Sequence, residues 1–442
     1  GGGTSVKLAK QLDARGVRIL GTGAEAIDIC EDRERFDALL ESLSIKRPKG
    51  FSVTSGEDAL RAAEELGYPV LMRPSYVLGG QNMIIAYGED DVIEYSRIIF
   101  SQRQDRPVLI DKYLSGLEIE VDALCDGNEV LLPGIMEHVE RTGIHSGDSI
   151  AIYPAIHVSE EMANRIYDET KKMCLALNVH GLINVQYLIN GGELYVIEVN
   201  PRASRTVPYL SKVTGIPMCT IATRISMGHT LADCGYIGGI APVPPYFAVK
   251  VPVFSFEKLS GVDTQLGPEM KSTGEVLGIG HDMREALFKG LVAAGYKMKR
   301  KGGVLFTVRD SDKSEIAAIA RKFRKMGFRL YATSGTAMEI RAGGMQVTVL
   351  NKVSENPSDN PMTALDSGEI SYIISTSAKG RNPAFDDVKI RRRAISLGIP
   401  CLTSIDTANA LVDSLQSGYH EENIGLIDIN EYIKAIKADR GV

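Results

Sequence analysis

Hydrophobic residues near the start of the chain recur at helical spacing on either side of one short apolar run. Helices are predicted over 4–15 and 32–44, with a strand over 17–21 between them. Two helices and one strand cannot close a sheet, because a strand needs a neighbour for its backbone hydrogen bonds. We therefore interpret residues 1–48 as the remnant of a truncated lobe, with a small complete lobe as the alternative.

A strand–loop–strand pattern follows this segment. A helix predicted over 55–66 leads into a buried strand over 68–74, and a second apolar run occupies 83–87. The loop between the two runs contains the adjacent glycines Gly79 and Gly80, which permit a tight turn. The pattern predicts a β-hairpin that forms a flap.

The remaining chain divides into two parts that differ in their pattern of strands and helices. The first part is predicted to contain a helix over 160–177 and strands over 107–111, 118–125, 129–136, 181–189, 193–199 and 246–251. Beyond the basic run at 297–303, which we interpret as a solvated linker, regular alternation predicts a doubly wound parallel sheet. The expected fold is an α/β and α+β multidomain protein, with domains over 49–298 and 299–442.

Composition and charge exclude several classes of protein. Of the 442 residues, 44% are hydrophobic, so sizeable cores are expected. Fifty Lys and Arg against 56 Asp and Glu give a net charge of −6, which argues against a general nucleic-acid-binding protein. No apolar run approaches the roughly 20 residues that a membrane span needs. The six cysteines form no CxxC pair, which disfavours a zinc site or disulfide framework and suits a reducing cytoplasm.

Polar residues cluster where one of the predicted strands ends. Glu198 and Asn200 are two positions apart, so their side chains leave the strand on the same face. Gln186 on the preceding strand can project from that face, and Arg202 and Arg205 follow just beyond. One carboxylate and two amide oxygens suit Mg²⁺, and two guanidinium groups suit an anion such as phosphate. The alternative is a strand end with solvent-facing polar residues.

The loop over 136–149 is a second candidate for a functional site. It follows an apolar strand and contains glycine, serine and aspartate residues together with His138 and His145. A single histidine is usually a structural residue, whereas two in a glycine-punctuated loop leave a structural and a functional role equally open.

Five motifs spread over nearly the whole chain carry a family resemblance: RPSYVLGG at 73–80, GIMEH at 134–138, HSGDS at 145–149, IEVNPR at 197–202 and GPEMKSTGE at 267–275. In this order they resemble the C-terminal half of the large subunit of carbamoyl-phosphate synthetases, within the ATP-grasp superfamily. The resemblance implies an ATP-grasp domain that phosphorylates carbamate with ATP, giving carbamoyl phosphate and ADP. This activity would feed pyrimidine and arginine biosynthesis.

The resemblance also implies a nucleotide site. Arg73 would contact nucleotide phosphate beneath the flap at Gly79 and Gly80. The wall of the adenosine site would be formed by Lys112, Leu114, Glu118, Gly143, Ile144, His145 and Ser146. Phosphoryl transfer needs positioning and charge neutralisation more than covalent catalysis, so no side chain has to act as a nucleophile.

The metal and catalytic residues are implied in the same way. Mg²⁺ or Mn²⁺ would be bound by Gln186, Glu198 and Asn200, of which the first two would also contact ATP. The transferred phosphoryl group and carbamate would be stabilised by Arg202 and Arg205, and the catalytic residues would be Arg202, Arg205 and His145.

The resemblance implies partners that this chain does not contain. An upstream half of the large subunit would form carboxyphosphate and then carbamate, and a glutamine amidotransferase small subunit would supply ammonia. This chain alone is therefore not expected to make carbamoyl phosphate from bicarbonate and glutamine. A K⁺ site that some relatives have near Glu118 and His138 is disfavoured, because Arg141 places a cation close to that position.

The segment from about residue 303 resembles the methylglyoxal-synthase-like regulatory domain of the same subunit. The resemblance implies a pocket for a nucleotide monophosphate effector such as UMP or IMP, lined by Lys313, Thr333, Thr336, Lys352, Ser375, Thr376 and Ser377. The hydroxyls between a strand and a helix suit a phosphate at the helix N-terminus, and an ordinary helix cap is the alternative. No catalytic acid of methylglyoxal synthase is evident.

Two other functions remain open at this point. The chain is compatible with another ATP-grasp ligase that forms an acyl phosphate for attack by an amine. It is also compatible with a catalytically incomplete fragment that binds only an effector or partner subunits. The first alternative is distinguished from carbamate phosphorylation by whether ADP formation depends on carbamate or on a carboxylate plus an amine.

Overall fold

The computed structural model describes most of the chain, and the structural statements below concern the residues that it describes: 3–74, 83–101, 107–258, 263–353, 355, 358–376 and 385–440. The predicted site residues Gly79, Gly80 and Ser377 lie outside these ranges. Among the described helices, none combines the length and the apolar character that crossing a membrane requires.

The N-terminal segment is helical: α1 (Gly3–Asp13), α2 (Ala24–Glu31) and α3 (Arg33–Ser42). The predicted strand over 17–21 is wrong, because this described stretch has no strand beside it to complete its hydrogen bonds. The side chain of Asp32 caps α3 by accepting from the backbone N–H of Arg35 at 3.0 Å. Phe36 and Leu40 on α3 are buried in the core of the central sheet.

The predicted flap strands lie in a small antiparallel sheet with the order β1-β4-β2-β3. Its strands are β1 (Gly50–Val53), β2 (Val70–Pro74), β3 (Ile84–Ala86) and β4 (Val108–Lys112). Met72 on β2 pairs with Ile84 on β3, so the predicted hairpin pairing is confirmed. The helices of this part are α4 (Gly56–Leu66), which Ser55 caps as expected, and α5 (Glu89–Ser101).

A large mixed sheet forms the centre of the protein, with the main order β10-β9-β5-β7-β8-β12-β13. These strands are β5 (Leu117–Asp126), β7 (Ile135–His138), β8 (Ala151–Tyr153), β9 (His180–Asn190), β10 (Glu193–Asn200), β12 (Phe247–Val253) and β13 (Gly274–Gly280). Two short strands, β6 (Val130–Leu132) and β11 (Gly239–Ile240), extend it beside β5. Its helices are α6 (Glu160–Ala176), α7 (Val207–Thr214), α8 (Met218–Ser226) and α9 (Met283–Ala293).

The two faces of the central sheet differ in polarity because residues alternate along β5 and β9. Ile119, Val121, Val185 and Tyr187 point into an apolar core that includes residues of α6. The alternate positions carry charged and amide side chains on the opposite face. This alternation positions the candidate site.

The C-terminal sheet is entirely parallel, with the order β16-β15-β14-β17-β18. Its strands are β14 (Gly303–Thr307), β15 (Arg329–Thr333), β16 (Thr348–Leu350), β17 (Ile370–Ser375) and β18 (Cys401–Leu402). Its helices are α10 (Lys313–Lys325), α11 (Ser334–Ala342), α12 (Pro361–Asp366), α13 (Asp386–Ser396) and α14 (Ile405–Gln416). Separate apolar clusters bury helices on both faces, so the predicted doubly wound architecture is confirmed.

The C-terminal sheet and the central sheet share one hydrophobic core. Val251 of β12 and Leu287 of α9 belong to the same cluster as Phe306 of β14 and Phe323 of α10. The last helix, α15 (Ile429–Arg440), returns to the central sheet and packs against α7. The C-terminal domain is therefore in direct contact with β12, which belongs to the sheet that carries the candidate site.

Candidate active site

Three neighbouring strands place a row of polar side chains side by side. Glu198 on β10 pairs with Gln186 on β9, which pairs in turn with Glu120 on β5. Paired residues of an antiparallel sheet project from the same face. The next residues on that face form a parallel row of Asn200, Asn184 and Asp122. We call these six side chains the polar face.

A β-bulge is required for this arrangement. Val196 pairs with Tyr187, but the register shifts before Glu198, which then pairs with Gln186. Without the extra residue in β10, Glu198 would lie opposite Val185 and would project from the other face. The bulge therefore brings the predicted carboxylate next to the predicted amide.

Two of the three expected metal ligands, Glu198 and Asn200, form a hydrogen-bonded group with Arg202, and the third, Gln186, lies beside it on the neighbouring strand. The amide nitrogen of Asn200 donates to Glu198 Oε1 at 2.9 Å, and Arg202 donates to Asn200 Oδ1 at 2.9 Å. The amide nitrogen of Gln186 donates to Ser146 Oγ at 2.9 Å, which leaves its amide oxygen for another partner. The donor set of one carboxylate and two amide oxygens fits Mg²⁺. Within the described ranges, no cluster of three or more His, Cys, Asp or Glu is placed to hold a metal.

Arg205 is held by a loop that a buried aspartate fixes. Its guanidinium donates to Ser272 Oγ at 3.1 Å, and this hydroxyl donates to the carbonyl oxygen of Gly147 at 2.8 Å. Asp148 is fully buried and accepts from the backbone N–H groups of Lys271 and Ser272, both at 2.8 Å. The loop around Ser272 thus sets the position of the expected anion-binding guanidinium.

The other expected catalytic residue, His145, lies in the loop that leads to Asp148. Its Nδ1 accepts from the backbone N–H of Gly147 at 3.0 Å. Burial lowers the pKa of His145, although the charge of Glu198 opposes this shift. Lys250 on β12 donates to the carbonyl oxygen of Ser146 at 2.9 Å, so a buried ammonium supports the same loop.

Hydrogen bonds hold together two of the segments that are expected to form the wall of the adenosine site. Tyr113 donates to the carbonyl oxygen of Thr142, and the backbone N–H of Gly116 donates to Thr142 Oγ1 at 3.1 Å. The segment that contains Leu114 is thereby tied to the loop that contains Gly143, Ile144 and Ser146. Gly143 has φ +110°, and a Cβ there would lie 2.8 Å from Ile85 Cδ1 on β3. The loop therefore needs glycine where it meets the small sheet.

Arg73 and Lys112 are engaged within the small sheet rather than with the polar face. Arg73 Nε lies 3.2 Å from Asp111 Oδ2, and Lys112 donates to the carbonyl oxygen of Gly67 at 2.8 Å. In the described part of the chain, these contacts do not connect either residue to Glu198. Their nucleotide contacts stay a prediction.

A buried histidine lies between two carboxylates next to the polar face. His138 Nδ1 is 3.1 Å from Glu118 Oε2, and Nε2 is 3.2 Å from Glu120 Oε2. Burial alone would lower the pKa of His138, but the two carboxylates outweigh burial and raise the pKa to about 9. Arg141, expected near this position, instead pairs with Glu315 and Asp406 of the C-terminal domain. The group that contacts these two carboxylates is His138, and the expectation that a K⁺ site is disfavoured here stays a prediction.

Protonated His138 is expected to stabilise the fold in a defined pH window. Its pKa of about 9 exceeds the ordinary value of 6.5, so its contribution is complete below the ordinary value and is lost as pH rises through about 9. Urea unfolding should show stability falling by a few kcal/mol between about pH 7 and pH 10. The fall should be much smaller in His138→Gln, and equal falls in both proteins would contradict the assignment.

The two neighbouring acids titrate at different pH: Asp122 near the lower end of that window and Glu120 far below it. Burial and the charge of Glu120 raise the pKa of Asp122 to about 7, whereas burial of Glu120 is outweighed by His138, which lowers the pKa of Glu120 to about 2. Thr206 donates to Asp122, and Asn184 donates to Asp122 Oδ1 at 3.1 Å. The deep part of the polar face is therefore a satisfied hydrogen-bond network.

The expected effector residues lie at the carboxyl ends of the parallel strands. Thr333 ends β15, Lys352 follows β16, and Ser375 ends β17, so they meet at one edge of the sheet. Thr333 is the N-cap of α11, but its hydroxyl donates to Thr307 Oγ1 at 3.5 Å rather than accepting from the helix, and Lys352 is exposed beside Glu355. Lys313 pairs with Asp310 at 2.6 Å.

The other described hydroxyl side chains that were expected to bind the effector contact groups of the protein itself. Thr336 and Thr376 are buried, and they accept from the backbone N–H groups of Val308 and Arg309, each at 3.1 Å. Ser375 is fully buried, and Arg391 lies 3.5 Å from its hydroxyl. Lys352 is thus exposed at this edge of the sheet, whereas Thr336, Ser375 and Thr376 are buried within the protein.

Sequence reasoning missed several residues of the site. Glu120 and Asp122 continue the alternation that begins at Glu118, and this period of two was a usable signal. Lys250 and Glu275 come from β12 and β13, whose position beside the site depends on sheet order. No local pattern in the sequence reveals that order.

Comparisons with known proteins identify both domains. Residues 32–234 match the family model for the carbamoyl-phosphate synthase L chain, ATP binding domain, and residues 315–403 match the model for the MGS-like domain. The carbamoyl phosphate synthase large chain of Lachnoclostridium phytofermentans is 49% identical over 429 residues. That of Clostridium botulinum is 47% identical over 431 residues. Each match covers 97% of this chain and 40% of the relative.

Solved structures with a similar fold include two biotin carboxylases. The biotin carboxylase domain of Hydrogenobacter thermophilus 2-oxoglutarate carboxylase, solved with MgADP, ADP and bicarbonate, has a TM-score of 0.52 at 18% identity, covering 64% of this chain and 70% of that one. Campylobacter jejuni biotin carboxylase has a TM-score of 0.53 at 16% identity, covering 65% and 71%. At this identity the likeness concerns the fold alone. Together with the two domain matches, the relatives show that the chain belongs to the carbamoyl phosphate synthase large-chain family, as a segment with its ATP-binding domain and its MGS-like domain.

Proposed function

We propose that this chain phosphorylates carbamate with ATP to give carbamoyl phosphate and ADP. The observation that carries the proposal is the hydrogen-bonded group of Glu198, Asn200 and Arg202 beside Gln186, on one face of the central sheet. Oxygen donors for a divalent cation and a guanidinium for an anion meet there. The large-chain relatives and the MgADP in a biotin carboxylase neighbour support ATP and Mg²⁺ as its ligands.

Each group has a distinct part in the proposed reaction. An oxygen of carbamate attacks the γ-phosphorus of ATP, and the bond from that phosphorus to the bridging oxygen of ADP breaks. Arg202 and Arg205 orient and neutralise the anionic groups before and during transfer. Gln186, Glu198 and Asn200 would hold Mg²⁺ (or Mn²⁺), which supplies charge neutralisation at the phosphates when bound. The neutral His145 and buried Asp148 keep the surrounding loop in place.

The proposal extends to partners and regulation. The chain spans 40% of the length of the curated relatives, so carbamate would come from a large-chain part outside this sequence and ammonia from a glutamine amidotransferase subunit. The edge of the C-terminal sheet that carries half-buried Thr333 and exposed Lys352 would bind a nucleotide monophosphate effector. The scattered cysteines of the sequence support a cytoplasmic setting.

The direct test is ATP synthesis in reverse, from ADP and carbamoyl phosphate, catalysed by this chain. The proposal expects ATP to form only with Mg²⁺ or Mn²⁺ present. In the forward direction, ADP should form with carbamate and not with a carboxylate plus an amine. Absence of both reactions from a folded chain would overturn the proposed function and favour an effector-binding fragment.

Lys352→Ala is expected to weaken the effector response about tenfold while leaving turnover at saturating substrate nearly intact. The reason is that Lys352 is exposed and follows β16 of the C-terminal sheet, whereas the polar face lies on the central sheet. Titration of the ATP-synthesis rate with UMP and with IMP measures the shift. Lys434→Ala, an exposed lysine on α15, is the control. Loss of basal activity in Lys352→Ala would contradict separate roles for the two domains.

A further inference from the structure

The C-terminal domain contacts the small sheet through Arg309. This residue lies two positions after the end of β14 and precedes α10. Its guanidinium donates to the hydroxyl of Tyr87 at 3.4 Å, and its Cζ lies 5.9 Å from the centre of the Tyr87 ring. Tyr87 directly follows β3, the edge strand of the small sheet. The contact therefore joins the C-terminal domain to that edge across 222 positions of the chain.

Arg309 is anchored within its own domain. Its Nε donates to Asp312 Oδ2 at 2.9 Å, and its backbone N–H donates to Thr376 Oγ1 at 3.1 Å. A guanidinium suits the contact with a tyrosine, because it can lie over the ring and still donate hydrogen bonds. Since both the backbone and the side chain of Arg309 are held, Tyr87 meets a cation whose position is already fixed.

The end of β3 lies against the loop that is expected to form the adenosine wall. A Cβ on Gly143 would lie 2.8 Å from Ile85 Cδ1 and 3.0 Å from the hydroxyl of Tyr113, which donates to the carbonyl oxygen of Thr142. Burial raises the pKa of Tyr113, and the charge of Arg309 acts against this rise. The guanidinium of Arg309 therefore lies near the junction between the small sheet and this loop.

The expected nucleotide contacts come from two sheets. Arg73 and Lys112 belong to the small sheet, whereas Gln186 and Glu198 belong to the central sheet. One nucleotide can contact both sets only when the two sheets are held at the right separation. Tyr87 is half exposed, so burial alone does not fix its position. A contact that fixes the end of β3 beforehand lowers the cost of ordering the small sheet when nucleotide binds.

We propose that Arg309 is a positioning residue for the nucleotide site: it holds Tyr87, and with it β3, against the loop that contains Gly143. The proposal rests on the proposed function and adds to its nucleotide site a residue of the C-terminal domain. Arg309 acts through Tyr87, and it takes no part in phosphoryl transfer. Its effect is on how tightly the two sheets together bind the nucleotide.

The first test measures binding of MgADP to the full chain by titration calorimetry. Arg309→Ala and Tyr87→Leu should each raise Kd about fivefold, the size of effect expected from one cation–aromatic contact. The double variant Arg309→Ala/Tyr87→Leu should bind no more weakly than either single variant, because both changes remove the same contact. Arg309→Lys keeps a cation and should lie between wild type and Arg309→Ala. The control Arg329→Ala removes an exposed arginine of the same domain, paired with Glu369, and should leave Kd unchanged.

The second test uses the kinetics of ATP synthesis from ADP and carbamoyl phosphate. Arg309→Ala should raise KM for ADP about fivefold and leave kcat and the KM for carbamoyl phosphate within about twofold of wild type. This split is expected because the polar face lies on the central sheet and keeps all of its contacts. A general folding defect would instead lower kcat.

The outcomes separate this inference from the proposed function. An unchanged Kd for MgADP in Arg309→Ala would overturn the inference, and so would a fall in kcat without a rise in KM for ADP. A double variant in which the two single effects multiply would also overturn it, since Arg309 and Tyr87 would then act independently. A wild-type chain that shows the expected pattern of MgADP binding but forms no ATP would support the positioning role and overturn the proposed function.

Discussion

Glu198→Ala is expected to reduce Mg²⁺-dependent ATP synthesis from ADP and carbamoyl phosphate about 1,000-fold. Glu198 is the charged member of the expected metal-binding group, and its Oε1 also accepts from Asn200 at 2.9 Å. Alanine removes the negative charge and leaves two neutral amide oxygens, which bind a hard divalent cation weakly. The rate should be measured across a Mg²⁺ titration, where part of the loss is expected to appear as weaker dependence on the metal.

Glu193→Ala is the matched control for this prediction. Glu193 begins the same strand, but it is half exposed and pairs with Lys46 at 2.8 Å, away from the polar face. Its replacement should leave the rate within about twofold of wild type, because surface ion pairs contribute little. An unchanged rate in Glu198→Ala would exclude the metal assignment, whereas equal losses in both variants would indicate a general defect of β10.

The candidate site was predictable where one strand or one turn determines it. The glycine turn after Asn190 fixes the hairpin of β9 and β10, which places Gln186 and Glu198 on adjacent strands. The shared face of these two residues was predicted without the bulge near Val196 that makes it possible. A bulge depends on packing between strands, and the hydrophobic pattern of β10 alone contains no signal for it.

The doubly wound sheet was also predictable, since strands and helices alternate regularly after residue 303. Its contacts with the central sheet were not. Arg141 lies in the loop after β7, yet its guanidinium pairs with Glu315 and Asp406 of the C-terminal domain. Such pairs join residues more than 170 positions apart, and only the packed structure brings them together.

The largest effect on stability is expected from Arg391 on α13. Its guanidinium forms a two-pronged ion pair with Asp263, at 2.6 and 2.8 Å, and Arg391 is fully buried. Asp263 lies in the segment that leads to Lys271, whose ammonium donates to the carbonyl oxygen of Asp263 at 2.8 Å. The pair therefore joins the C-terminal domain to the loop that holds Arg205.

Arg391→Met should lower the free energy of unfolding by about 3–5 kcal/mol, because it leaves the carboxylate of Asp263 buried without its partner. The double variant Asp263→Asn/Arg391→Met should recover much of this loss, since the buried side chain at 263 is then neutral. Arg393→Met is the matched control on the same helix: its pair with Asp366 is partly exposed, and its loss should change stability by at most about 1 kcal/mol. Urea unfolding measures all three variants, and similar midpoints for Arg391→Met and Arg393→Met would show that the buried pair does not hold the domains together.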